Sequence, residues 1–359
     1  DWSSDVCSSD LARQARQFRF DESLALFQYM LSLFGCTSLD SLCEGMKDET
    51  WEGWDEQNIS RYYYFLTTRL FEYPGITKEQ LLRYDQNITS QTMAISGRRG
   101  AFRWKYFQYM ALLFSEIYLD KYFNDPQGLL DGLNAQVTLL NSEREAADKL
   151  PSYVLDDLNK VAFWQATGSG KTLIMHVNIL QYRHYLEKAG KHATLNRVIL
   201  LTPNEGLSEQ HNGEFKLSSM PADIFNKESG SLYAGQEISI IDIHKLKEEG
   251  KEKTVSVDAF ESNNLVLVDE GHRGAGGEEW MDKRNRLCAD GFSFEYSATF
   301  GQAMKASGKK EMLHQYAKCI LFDYSYKYFY GDGYGKEYSI LNLAEEQHEE
   351  QRQLYLTAC

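Results

Sequence analysis

The sequence predicts an α/β fold, in which a parallel sheet carries helices on both faces and a mostly helical region precedes it. Apolar runs of strand length alternate with helical patterns between residues 160 and 330, as is typical of a parallel sheet. One run passes through a glycine-rich turn directly into a helical pattern, and polar motifs follow several later runs. Because ligands of such sheets bind at the carboxyl ends of the strands, we expect these motifs to meet at one edge.

The composition is typical of a globular protein. The 359 residues are 43% hydrophobic and 25% charged, and they suffice for one large or two ordinary domains. No apolar run reaches the length of a membrane span and no signal peptide is evident, so we expect no membrane partner and a cytoplasmic location. The six cysteines form no C-x-x-C pair, which favours reduced thiols. A net charge of −14 weighs only mildly against nucleic-acid binding, because a local basic or amide-lined groove is sufficient.

The two ends of the chain stand apart from the rest. Residues 1–11 have no initiating Met and no periodicity, and they resemble a translated sequencing adapter, so we exclude them from the fold. The chain stops within a charged, helical pattern at residues 336–359, with no terminating signal. We therefore expect this stretch to begin a linker toward a further domain.

Residues 12–150 are expected to form a helical accessory domain. A capping box that begins at Thr77 and a long apolar stretch over residues 104–123 both predict helices. The aromatic run at residues 62–65 could stack on nucleic-acid bases, but such runs are more often helix cores or docking faces.

Residues 151–335 are expected to form the sheet domain. The predicted strands are 161–165, 197–202, 238–243, 264–268, 292–296 and 319–325.

The first predicted strand leads into a candidate phosphate-binding loop, Ala166-Thr167-Gly168-Ser169-Gly170-Lys171-Thr172. Its glycines allow the backbone to aim N–H groups at a phosphate, and the helix N-terminus and Lys171 add positive charge. The Thr172 hydroxyl can hold Mg²⁺. Gln165 stands where the general pattern has its first glycine.

Two further motifs follow later strands. Asp269 comes at the end of a strand and can hold Mg²⁺, while Glu270 beside it can orient or deprotonate an attacking water. Acidic pairs in this position are also common as helix caps, but the phosphate loop upstream favours the catalytic interpretation. Ser297 and Thr299 follow the next strand, and alone they would indicate only a turn.

In order and spacing, these motifs resemble those of the DExH-type superfamily 2 helicases and translocases. Residues 166–172 resemble motif I, 201–204 motif Ia, 269–272 motif II and 297–299 motif III. The chain is more closely similar to the helicase subunit of type III restriction enzymes over about residues 105–343. The stretches that carry this similarity are 202–208, 269–274, 294–300 and 328–335.

This resemblance implies a RecA-like ATP-binding domain and an ATP hydrolase of the helicase or translocase type, with ATP and Mg²⁺ as cofactors. It implies that the partner is nucleic acid, DNA rather than RNA, and that a methyltransferase subunit of a restriction-modification or phage-defence system accompanies the motor.

The resemblance also assigns roles to residues. ATP is expected to contact Gln108, as the reader of adenine, and Ala166, Thr167, Gly168, Ser169, Gly170, Lys171 and Thr172. Thr172 and Asp269 would hold Mg²⁺. Glu270 would be the catalytic base, accompanied by Lys171, Asp269 and His272. The residues expected to couple hydrolysis to movement are His272, Ser297 and Thr299, and those expected against a DNA backbone are Thr202, Pro203 and Asn204. For Gln108, a place in a helix core is an equally good interpretation.

Motors of this superfamily close a second α/β domain on the first, and that domain supplies an arginine finger. Nothing after residue 343 resembles it, so we expect the chain alone to bind nucleotide and to hydrolyse it slowly.

Two alternatives to a DNA translocase stay open. The first alternative is an ATP-dependent switch or interaction module, and the second is a repair or RNA helicase of the same superfamily.

Overall fold

The structure is a computed structural model that describes residues 19–69, 73, 75–225, 238–246, 256–270 and 277–335. The predictions made for residues 1–11, for residues 336–359 and for His272 fall outside the described residues.

A parallel sheet of seven strands forms the centre of the described part of the chain. In chain order the strands are β1 (Lys160–Gln165), β2 (Arg197–Thr202), β3 (Ala222–Ile224), β4 (Ile238–Asp242), β5 (Asn264–Asp269), β6 (Phe292–Ser297) and β7 (Ile320–Tyr324). Their order across the sheet is β3-β4-β2-β5-β6-β1-β7, and each pairing between neighbours is parallel. Six strands lie at the predicted apolar runs, whereas β3 has no such run.

Helices surround the sheet and also make up the N-terminal region. They are α1 (Ala25–Ser32), α2 (Leu39–Cys43), α3 (Arg61–Arg69), α4 (Lys78–Ser96), α5 (Tyr106–Asn124), α6 (Pro126–Asn141), α7 (Lys171–Lys188), α8 (Glu205–Leu217), α9 (Gly277–Leu287), α10 (Phe300–Ser307), α11 (Lys310–Cys319) and α12 (Tyr326–Gly331). The predicted α/β fold class, with a mostly helical N-terminal region, is confirmed. No described helix is both long and apolar enough to cross a membrane.

Local signals place the N-terminal helices. Thr77 and Gln80 form the predicted capping box at the start of α4, each side chain accepting from the other's backbone N–H. Asp125 accepts from the backbone N–H of Gly128 and so caps α6, whose first residue is Pro126. In the aromatic run, Tyr62 and Phe65 are buried in α3, so two of its four rings lie in the core.

The sheet buries both of its faces. On one face Phe163 stacks on Tyr296 with ring centroids 5.1 Å apart, and on the other Ile199 and Val266 belong to a second buried cluster. The N-terminal helices join the first of these cores, where Phe114 of α5 meets the ring of Phe322 at 5.6 Å. Residues on both sides of position 150 therefore share one hydrophobic core, and the boundary there stays a prediction.

Candidate nucleotide-binding site

The loop between β1 and α7 has the backbone conformation that its glycines predict. Gly168 and Gly170 have φ of 85° and 89°, a left-handed region that side chains disfavour. The N–H of Ala166 donates to the carbonyl of Tyr324 at 3.0 Å, which fixes the start of the loop to β7. The carbonyl of Gly170 accepts from Leu173 at 3.0 Å and opens α7.

Gln108 of α5 lies directly against this loop, although the two are far apart in sequence. Its Nε2 donates to the carbonyl of Ser169 at 2.8 Å, and its Oε1 accepts from the N–H of Lys105 at 2.9 Å. A Cβ on Gly170 would lie 2.3 Å from Gln108 Nε2, so any other residue at position 170 would displace the end of the Gln108 side chain. Gln108 thus lies beside the candidate phosphate loop, and its reading of adenine stays a prediction.

Lys171 points back over the loop. Its Nζ donates to the carbonyls of Gln165 and Ala166 at 3.2 and 3.4 Å, and it lies 3.6 Å from Glu270 Oε1. The Lys171 and Glu270 side chains are only 12% and 11% exposed, so their attraction is poorly screened by water. The candidate motif I and motif II side chains therefore meet, as the sequence predicted.

Glu270 is oriented by both its backbone and its carboxylate. Its φ is 53°, an uncommon conformation for a residue other than glycine, and its N–H donates to the carbonyl of Tyr296 at 2.9 Å. Its Oε2 accepts from the hydroxyl of Ser297 at 3.2 Å, and Ser297 Oγ in turn accepts from the N–H of Thr299 at 3.0 Å. The third motif is thus hydrogen-bonded to the second.

Asp269 has a partner that sequence reasoning did not identify. Its Oδ2 lies 2.9 Å from Nε2 of His211, a buried residue of α8. The sequence shows only that Asn204, Ser208 and His211 are spaced to lie on one helix face, which does not point to Asp269.

The structure accounts locally for two of the three predicted DNA contacts. Thr202 is buried, with Oγ1 2.7 Å from Oγ of Ser208. Asn204 Oδ1 accepts from the N–H of Leu207 at 2.9 Å and caps α8. Pro203 is half-buried and Asn204 is exposed, so the start of α8 is open to solvent. Contact of these residues with DNA stays a prediction.

Asp332, in the segment 328–335, ties the region after β7 to the N-terminal helices. It accepts from the hydroxyls of Tyr106 and Tyr324 and from the ammonium of Lys47. Burial first, and then the hydrogen bond that each hydroxyl donates to Asp332, raises the pKa of both tyrosines above the usual range, so both hydroxyls stay protonated donors. Beside them Phe107 stacks on Tyr324 with centroids 4.0 Å apart.

The loop fits a nucleotide phosphate with Mg²⁺. Ser169 Oγ is buried and has no hydrogen-bond partner among the described residues, as expected of a group that awaits a ligand. Thr172 is half-buried in the first turn of α7, and with Asp269 it offers the oxygen ligands that Mg²⁺ prefers. Gln165 is also buried with both side-chain polar atoms lacking a partner among the described residues, and nothing in the structure explains this.

Comparison with known families shows what part of the chain is similar to. Residues 136–302 match the family model described as type III restriction enzyme, res subunit. The predicted resemblance is therefore confirmed over these residues, and no curated protein matches the chain.

Two solved structures of a bacteriophage T4 helicase are also similar to the chain. The UvsW helicase structure shows 15% identity and a TM-score of 0.30, over 80% of this chain and 94% of that one. A second structure of T4 UvsW shows 14% identity and a TM-score of 0.30, over 81% of this chain and 54% of that one.

The matched segment contains the residues of all four candidate motifs. The candidate residues inside it run from Ala166 to Thr299, and Gln108 lies upstream of it. His211 also lies within the matched residues, and the contact it makes with Asp269 joins the helix after motif Ia to motif II.

Proposed function

We propose that this protein is the ATP-binding half of a DNA translocase motor, in which ATP hydrolysis is coupled to movement on duplex DNA. One observation carries the proposal: the Glu270 carboxylate lies between Lys171 Nζ, at 3.6 Å, and the Ser297 hydroxyl, at 3.2 Å. A phosphate-binding lysine, a candidate base and a coupling hydroxyl thus form one connected set.

The residues of the site suit phosphoryl transfer to water. The amides of residues 168–172 and the ammonium of Lys171 would hold the β- and γ-phosphates, and Thr172 and Asp269 would hold Mg²⁺. When bound, Mg²⁺ neutralises charge that develops on the phosphates. Glu270 would orient the attacking water and accept its proton, while the Ser297 hydroxyl keeps the carboxylate in place.

Coupling to the nucleic acid would pass through the two motifs beside the nucleotide. The Ser297 hydroxyl donates directly to Glu270, and the N–H of Thr299 donates to the Ser297 hydroxyl. A movement of Glu270 at the reacting phosphate would therefore reach these two residues first. The exposed start of α8, next to Thr202, Pro203 and Asn204, would lie against a DNA backbone, and such contacts fix position without reading sequence. We assign His272 to the same coupling role.

The family supports the biological setting. A res subunit belongs to a type III restriction enzyme, so we propose a restriction-modification or phage-defence role, with a methyltransferase subunit as partner and the cytoplasm as location. DNA is the favoured nucleic acid on the same ground.

A second candidate function is an ATP-dependent switch or interaction module. The net charge of −14 favours it, because few phosphates could be neutralised outside a local groove. A repair or RNA helicase would use the same nucleotide site and would differ only in the nucleic acid that it follows.

Lys171→Ala tests the proposed nucleotide site. Among the described residues, the Lys171 ammonium contacts two loop carbonyls and Glu270, so we expect the melting temperature to stay close to that of the wild type. Affinity for a fluorescent ATP analogue should fall by about 100-fold, because a charge-assisted contact with phosphate is lost.

Lys188→Ala, at the exposed other end of the same helix, is the matched control and should bind as the wild type does. An unchanged affinity in Lys171→Ala would show that this loop does not hold the nucleotide.

A further inference from the structure

His211 makes a contact that the proposed mechanism has not used. Its Nε2 lies 2.9 Å from Oδ2 of Asp269, and the two side chains are 4% and 12% exposed. The other ring nitrogen, Nδ1, is buried and has no partner among the described residues. The imidazole is therefore directed at the carboxylate through one defined atom.

The helix that carries His211 is held firmly at its start. The Asn204 side chain caps α8, and Ser208, one turn before His211, is 2.7 Å from the buried hydroxyl of Thr202. These contacts join α8 to the end of β2, the strand next to β5. The ring thus approaches Asp269 from a rigid element. Carboxylates that bind metal ions are themselves held in orientation by hydrogen bonds from neighbouring groups.

We propose that His211 is a positioning residue, which holds the Asp269 carboxylate in the orientation needed to bind Mg²⁺ with the nucleotide. In this arrangement Nε2–H donates to Oδ2, so the carboxylate cannot turn freely. The inference rests on the proposed function, because it takes Asp269 as a ligand of Mg²⁺. An imidazole donor on α8, outside the four motifs, would thus set the affinity for the metal.

The test compares how nucleotide affinity depends on Mg²⁺ in three variants of the whole chain. His211→Phe keeps a ring of similar size and removes the donor, whereas His211→Gln can place its amide Nε2–H near the position of the imidazole Nε2–H. His176→Phe is the matched control, because His176 is equally buried and stacks on Phe215 at 4.2 Å but bonds to Ser218 rather than to a carboxylate. Melting temperatures establish that each variant is folded.

We expect His211→Phe to need about 10-fold or more Mg²⁺ for half-maximal binding of a fluorescent ATP analogue. Its affinity for the analogue in EDTA should equal that of the wild type, because the phosphate loop is untouched. His211→Gln should recover most of the Mg²⁺ dependence, and His176→Phe should behave as the wild type. Electron paramagnetic resonance of Mn²⁺ added with ATP should show the same order of metal affinities.

Three results would overturn the inference. They are an unchanged Mg²⁺ dependence in His211→Phe, an equal loss in His176→Phe, and a wild-type affinity for nucleotide that does not respond to Mg²⁺ at all. If His211→Phe does not fold, His211→Asn replaces it, because its amide is too short to reach Asp269 from the same backbone position. A wild-type protein that binds no nucleotide with or without Mg²⁺ would instead refute the proposed function.

Discussion

Glu270 combines backbone strain with fixed side-chain contacts. A non-glycine residue at φ 53° costs about 1–3 kcal/mol and persists only where its surroundings hold it. Here the N–H bond to the Tyr296 carbonyl, the Ser297 hydroxyl and the nearby Lys171 ammonium do so. The conformation directs the side chain from the end of β5 toward the phosphate loop. A catalytic base has to be positioned in this way, even at some cost in the stability of the fold.

Glu270→Gln should separate binding from hydrolysis. The amide keeps the size of the side chain and can still accept from Ser297, so we expect affinity for ATP to stay within about twofold of the wild type. Hydrolysis should fall by a factor on the order of 10²–10⁴, the usual contribution of a general base. Single-turnover hydrolysis of labelled ATP with protein in excess measures this even when turnover is slow.

Glu209→Gln, which removes an exposed carboxylate from α8, is the control for Glu270→Gln and should change neither quantity. Normal hydrolysis in Glu270→Gln would contradict the assignment of Glu270 as the base.

At the scale of elements, the sequence predicted those strands whose burial is continuous. Strand β5 is buried at all six positions, and its apolar run was evident. The edge strand β3 has only three residues, none of them fully buried, so it left no hydrophobic pattern. The contact between His211 and Asp269 could not be predicted either, because it depends on how α8 packs on the sheet, chiefly on β3 and β4, and no local propensity encodes such packing.

Gln108 shows the same limit from the other side. A glutamine at the start of an apolar helix is equally compatible with a core position and with a ligand site. Only the packing of α5 beside α7 places its amide on the Ser169 carbonyl. Motifs within one strand, loop and helix were therefore predictable, whereas contacts between elements distant in the chain were not.

The junction of α4, α5 and α7 contains a buried carboxylate whose ionisation should affect stability. Glu116 of α5 accepts from Asn87 of α4 at 2.9 Å and from the hydroxyl of Tyr185 of α7 at 2.7 Å. Burial raises its pKa from 4.5 to about 7, and these hydrogen bonds offset only part of that effect. The folded state therefore binds this proton more tightly than the unfolded state does.

Glu116→Gln should change how stability depends on pH. Because the folded-state pKa is raised, the wild type loses stability as pH rises from about 4.5 to about 7, and the loss is complete above pH 7. The amide of the variant stays neutral at every pH. The free energy of unfolding of Glu116→Gln, relative to that of the wild type, should therefore rise across this window by up to about 3 kcal/mol. Urea unfolding of both proteins at several pH values between 4.5 and 8 measures the difference.

Glu187→Gln, an exposed position on α7, serves as the control for Glu116→Gln and should leave the pH dependence as in the wild type. Parallel stability curves for Glu116→Gln and the wild type between pH 4.5 and 8 would refute this account of the junction.

At the scale of the whole molecule, the N-terminal region is attached to the sheet domain at two places, the end of α8 and the segment after β7. Arg99, after α4, donates to the carbonyl of Glu214 and the hydroxyl of Ser218 at the end of α8. Asp332 accepts from Lys47 and Tyr106, which belong to the N-terminal region. The helical region thus contacts the helix that carries His211 and the segment after β7. This places it to respond when either element moves.

The motor and switch hypotheses differ in how the nucleotide site responds to nucleic acid. If the protein is a motor, closure of a second α/β domain on the nucleotide site would place an arginine at the phosphates, a contribution on the order of 10³–10⁵ in rate. In a form that includes this domain, duplex DNA should therefore raise ATP hydrolysis by at least about tenfold. Steady-state hydrolysis with duplex DNA, single-stranded DNA and RNA measures this, with Lys171→Ala as the inactive control. Stimulation by RNA alone would favour the RNA-helicase alternative. If no nucleic acid changes the rate of ATP hydrolysis, the motor hypothesis is contradicted and the switch hypothesis remains. A switch that does not move along nucleic acid has no need of stimulation by it.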